Sequence, residues 1–215
     1  MPVAGYRREF DRTLEAIEAE VIELFAMIAD DLPQATAALL NGDGKALPAL
    51  AGHQQAIDAL YPQLEARISW EIMRQAPVAS DLRFLLSVLK IARDFERAHR
   101  SVVHIAARGH HSLSTSLSPR CRMLVERMGD LAASMWRQAA DAWYERDRAM
   151  ADALAGRDEE LDELHAALSA ELASGAMTVP VTMELTLVAR SYERLGDHAV
   201  NVATRVRYLA GPAPN

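Results

Sequence analysis

Residues 91–108 read IARDFERAHRSVVHIAAR, and residues 188–205 read VARSYERLGDHAVNVATR. Aligned, they set Arg93, Glu96, Arg97, Val103 and Arg108 on Arg190, Glu193, Arg194, Val200 and Arg205, a spacing of 97 residues. Upstream, Ala49, Leu50, Ala51 and Gly52 fall on Ala153, Leu154, Ala155 and Gly156, and Asp43 and Asp58 fall on Asp147 and Asp162, now 104 residues apart. The spacings differ by seven residues, about two helical turns. Two added turns leave the apolar stripe of a helix nearly in phase. The pattern predicts a duplicated helical unit.

Outward from these segments, apolar residues recur at steps of three and four, the period of packed helices. Phe10, Leu14, Ile17, Val21, Leu24 and Ile28 mark a first helix that Pro33 is expected to bend or interrupt and that Asn41 to Gly44 should end. Leu50, Ile57, Leu60, Leu64, Ile68 and Ile72 mark a second, stopping near Gln75 because Pro77 disfavours helical geometry at Ala76. Phe84, Val88, Ile91, Phe95, Ala98, Val102 and Ile105 are the seam of a third, ending at Gly109. Residues 109–118, GHHSLSTSLS, are rich in turn formers, and Ser118 before Pro119 has the form of an N-cap. A fourth helix to about Glu145, a fifth over Asp147 to Leu172 and a sixth seamed by Leu185, Val188, Tyr192, Leu195, Ala199, Val202, Val206 and Leu209 complete the chain, with Gly211 and Pro212 as the stop. The expectation is an all-α protein. Two tandem three-helix repeats, 1–109 and 119–215, are joined by a loop at 110–118 and pack as an elongated six-helix bundle.

With 215 residues, half of them hydrophobic, the chain can bury a sizeable core. Its 30 acidic against 23 basic residues leave a net charge of -7, which argues against nucleic acid and anionic lipid as partners. A single cysteine, Cys121, rules out an internal disulfide framework. No apolar run approaches the ~20 residues that span a bilayer. These features point to a cytoplasmic protein.

The core stripe of the sixth helix leaves Arg190, Glu193 and Asp197 on its outer face. Glu193 and Asp197 stand one turn apart and repel, so the pair suits a site supplying positive charge. A hard cation held by carboxylates and water is one supply. A solvated face neutralised by Arg190 and Arg194 is the other. His198 is a further candidate ligand. In the first repeat Arg100 stands where the second has Asp197, so Glu96 is expected to pair with Arg93 and Arg100 rather than with a metal. A different pattern, Glu96-x-x-His99 with a looser Asp162-x-x-His165, matches the Glu-x-x-His signature of ferritin-like dinuclear-metal oxidases. Those enzymes need four carboxylates projecting into the bundle core, whereas Glu96 and His99 flank the seam. No phosphate loop or nucleophile elbow is present, so no catalytic residue is proposed.

Pro77 to Arg83 (PVASDLR), Ile91 to Arg97 (IARDFER) and Glu193 to Val202 (ERLGDHAVNV) resemble the PhoU family of phosphate-signalling proteins, over nearly the whole chain. The resemblance implies duplicated three-helix bundles with a Glu/Asp-x-x-x-Asp motif on the third and sixth helices that holds surface metal clusters. It implies a non-enzymatic, homodimeric negative regulator of phosphate uptake and of the phosphate-starvation response, in contact with the ATPase subunit of a Pst-type ABC transporter and with a sensor histidine kinase. Carried onto this chain, Glu193 and Asp197 match the second motif, while of the first only Glu96 remains. Asp58 and Asp162 are supporting candidates. A divalent or trivalent ion (Fe, Mn, Zn, Ni or Mg) is thus expected at the second-repeat motif.

Overall fold

A computed structural model describes residues 3–211, with side chains from Arg7 onward; Pro212 of the expected stop lies outside that range. The described residues form α1 (Val3–Asn41), α2 (Leu47–Gln75), α3 (Ala79–Ala106), α4 (His111–Ser116), α5 (Pro119–Glu145), α6 (Arg148–Ala173) and α7 (Val179–Leu209), with no strand among them.

Helix ends follow local chemistry. α1 closes at Gly42, whose φ of 68° is a left-handed conformation that glycine adopts without a Cβ penalty. The Ser118 side chain accepts a hydrogen bond from the Cys121 N–H at the start of α5, and Asp147 caps α6 through the N–H groups of Ala149 and Met150.

Two local expectations are corrected. Pro33 does not interrupt α1, which runs through it for 39 residues. An interior proline costs a helix ~3 kcal/mol. Burying one large apolar side chain contributes ~1.5–3 kcal/mol, and Phe25, Ile28, Leu32 and Leu39 are all fully buried around this point. Residues 110–118, expected as loop, contain the short helix α4, because the His110 side chain accepts from the Leu113 N–H and Leu113 is buried against the core.

Helices α1, α3, α5 and α7 pack as a central layer, α1 on α5 and on α3, α7 on α3 and on α5. α2 lies against α3 and α1, and α6 lies against α5 and α7. The result is an all-α bundle with α2 and α6 as its flanks. The two halves share one core. Phe25 and Phe95 meet edge to face at 4.8 Å, and Trp136 from the second half sits 6.1 and 5.8 Å from them. Trp143 reaches both Phe25 and Phe84.

Both tryptophans and Tyr192 have partners for their polar atoms. Trp136 Nε1 donates to the Leu195 carbonyl at 3.1 Å and Trp143 Nε1 donates to Glu18 at 3.0 Å. Thr36 Oγ1 donates to the Leu32 carbonyl, so Tyr192 donates its hydroxyl proton to Thr36, at 2.7 Å. Burial pushes the Tyr192 phenol upward from its ordinary value, so it is a neutral donor here. Gly129 makes the α1–α5 crossing close, since a Cβ there would meet Thr36 Oγ1 at 2.5 Å.

Candidate functional site

The carboxylates of the second repeat come together on the outer side of α6 and α7. Glu193 is half-buried and Asp197 exposed on α7, facing Asp158 and Asp162, which are themselves one turn apart on α6. Asp158 was not among the expected ligands, although its i,i+4 relation to Asp162 is readable in the sequence. Burial, then the charges of Asp162, Asp197, Glu193 and Glu159, push its carboxyl up from 3.8 to about 6. The position of Asp158 depends on Gly196, because a Cβ there would come within 2.5 Å of its Oδ1 and 2.7 Å of Leu161 Cδ2. Neither Arg190 nor Arg194 forms an ion pair with Glu193 or Asp197 among the described residues. Four carboxylates thus share this face, without three of their ligand atoms gathering within 4.8 Å of one another among the described residues.

The equivalent surface of the first repeat is neutralised from within. Arg100 donates to Glu96 at 2.5 Å and lies 3.5 Å from Asp58, while Gln54, at the place of Asp158, donates to Asp58 at 2.7 Å. The guanidinium already neutralises these carboxylates, and this donor set does not fit a cation.

His198 is not a neighbour of that acidic group in hydrogen-bonding terms. It is buried, and its Nδ1 lies 2.9 Å from Asp94 Oδ1 on α3, with the Asn201 amide donating to the same oxygen at 3.3 Å. These contacts tie α7 to α3.

His99 departs furthest from expectation, since it is fully buried rather than flanking the seam. Its Nε2 lies 2.8 Å from Oδ2 of Asp31, a carboxylate only 2% exposed inside α1. His53 Nδ1, from α2, approaches the same oxygen at 2.7 Å. The three ligand atoms lie within 4.8 Å of one another, a group able to hold a metal ion. Burial raises the Asp31 carboxyl, but hydrogen bonds from His99 and His53 and their charges outweigh it, and the net shift is downward. The core therefore holds a carboxylate that the apolar seams alone do not reveal. One signal existed: Asp31 and His53 stand at stripe positions, three residues after Ile28 and after Leu50.

The PhoU domain model matches residues 21–109 and 125–206, covering both repeats. The chain belongs to the PhoU family. It is 30% identical over 210 residues, 94% of this chain and 80% of the relative, to the phosphate-specific transport system accessory protein PhoU homolog of Pseudomonas putida. It is 31% identical to the homolog of Deinococcus radiodurans, covering 96% of that relative. The crystal structure of PhoU from Pseudomonas aeruginosa superposes with a TM-score of 0.85 at 26% identity, over 93% of this chain and 98% of that one. The PhoU relatives are named as accessory proteins, not enzymes.

Proposed function

We propose that this PhoU-family chain is a cytoplasmic regulator of phosphate homeostasis that restrains phosphate uptake and the starvation response. It does so through contacts of its helical faces with the ATPase subunit of a Pst-type ABC transporter and with a sensor histidine kinase. The observation that carries the reading is the extent of the match, which reaches both repeats and nearly the full length of relatives named for phosphate-specific transport. The units 1–109 and 119–215, joined through 110–118, act as one adaptor, and two copies associate as a homodimer. No described helix is long and apolar enough to cross a membrane.

Asp158, Asp162, Glu193 and Asp197 are the residues that hold a metal ion in this reading, a set of oxygen donors suited to Mg, Mn or Fe-type ions. The support is the Asp158 carboxyl, raised first by burial and then by the charges of Asp162, Asp197, Glu193 and Glu159. Bound there, the ion supplies the positive charge that this face lacks. The ferritin-like oxidase gains nothing from the geometry, because His99 turns inward to Asp31 while Glu96 turns outward to Arg100.

The regulatory reading is tested by deleting the gene and following a phosphate-starvation reporter in phosphate-replete cells. Derepression is expected. Unchanged expression in a clean deletion would count against the assignment.

A further inference from the structure

The two repeats can be read as controls for one another. At the spacing of 104, Asp31, His53 and Gln54 fall on Met135, Arg157 and Asp158, and at the spacing of 97, His99 and Arg100 fall on Gly196 and Asp197. The tertiary structure supports this alignment. Met135 and Asp158, with Leu161, are the side chains that a Cβ on Gly196 would meet, just as Asp31 and Gln54 are the partners of His99. The first repeat thus has Gln54 and Arg100 where the second has two outer carboxylates. It carries a carboxylate and two imidazoles further in, at Asp31, His99 and His53.

The hydrogen bonds fix where the Nδ1 proton of His99 goes. Gln54 Nε2 faces Asp58 Oδ1 at 2.7 Å and the Glu96 carbonyl at 3.5 Å, both acceptors, so the amide NH2 points to them. Gln54 Oε1 therefore faces His99 Nδ1, at 3.0 Å, and can only accept. With Nδ1 donating to Gln54, His99 presents Nε2, either as a second N–H or as a lone pair, to a buried carboxylate oxygen that His53 Nδ1 also approaches. Lone pair against carboxylate is repulsive unless a positive charge lies between them. A histidine whose far nitrogen donates to a fixed carbonyl oxygen is the arrangement found around metal-bound imidazoles.

From this geometry we infer that Asp31, His53 and His99 form an inner site for one borderline transition ion of the zinc type, oriented by Gln54, in place of the outer hard-cation site of the second repeat. Two imidazole nitrogens and one carboxylate oxygen favour such an ion over Mg or Ca. Three protein ligands leave a fourth position for water. His53, with its side chain 46% exposed, is the solvent side of the site and the entry path. The separations of 2.7 and 2.8 Å are shorter than the about 3.3 Å between ligands of a tetrahedral ion with bonds near 2.05 Å. Binding must therefore spread the group by some tenths of an ångström, and half-exposed His53 is the member free to move. The inference does not depend on the regulatory role proposed above.

The test uses the full chain carrying Asp162→Ala and Asp197→Ala, which silences the carboxylates between α6 and α7, stripped of metal and titrated with Co(II). One equivalent should bind with the visible absorption of four-coordinate Co(II). Zn(II) should displace it and raise the melting temperature, and Mg(II) should do neither. Adding His53→Ala should weaken Co(II) binding by at least about tenfold, and Gln54→Leu by about 10–100-fold, with far-UV circular dichroism confirming that both variants are folded. No four-coordinate Co(II) band, a band untouched by His53→Ala, or equal competition by Mg(II) would each overturn the inference. The first of these would leave the cluster as a carboxylate paired with a protonated imidazole.

Discussion

Phe95 and Tyr192 occupy matching places in the two repeats, and both are fully buried. Phe95 touches the rings of Phe25 and Trp136, so its truncation removes contacts to both halves of the chain. Phe95→Ala should destabilise the protein by ~3–5 kcal/mol, read as a lower urea midpoint with an unchanged slope. An unchanged midpoint would place the core elsewhere. These two residues were legible in the sequence because each lies on an unbroken apolar stripe. Asp31 and His53 lie on such stripes too, yet were not read as a site. A polar residue at a stripe position is tolerable only with a partner, and the partners of Asp31 come from α2 and α3, 22 and 68 residues away. Nothing local announces them.

The α6–α7 pair carries charge that folding compresses. Asp158 has a carboxyl raised to about 6 in the folded chain against 3.8 when free, so the folded state holds its proton more tightly than the unfolded state. A raised carboxyl of this kind lowers stability as pH climbs from about 4 to about 6 and keeps it lowered above that. In metal-free protein Asp158→Asn should therefore flatten the loss of stability across this window. It should gain about 1 kcal/mol at neutral pH, a figure discounted because the group is partly solvated. A steeper loss of stability with pH in the variant would show that the carboxylates do not repel as placed. Mn(II) should offset the same repulsion in the wild type. Its stabilisation should fall with Asp197→Ala and persist with Glu96→Ala, as followed by thermal melts with titrated ion. Arg100→Asp, which breaks the ion pairs to Glu96 and Asp58, should add a second Mn(II) equivalent. If Glu96→Ala alone abolished Mn(II) binding, the outer site would belong to the first repeat.

Across the whole molecule, the shared aromatic cluster of Phe25, Phe84, Phe95, Trp136 and Trp143 makes the repeats one cooperative body. Tryptophan fluorescence and far-UV circular dichroism should report coincident urea transitions. Two separated transitions would mean that the halves are stable apart. The duplication, the long helices and their inward faces were available from the chain alone, because a period of three to four is a local property that survives any packing. The capacity of Arg100 to neutralise Glu96 was available for the same reason, since i,i+4 neighbours meet on any helix. The continuity of α1 through Pro33 was not. It depends on burial around the proline, which requires the other helices. The gathering of the inner carboxylate–histidine group, and the approach of Asp158 to Gly196, were out of reach of a linear reading. Each is assembled from residues on separate helices, and only the way those helices cross sets which side chains face one another and which are shut away from water.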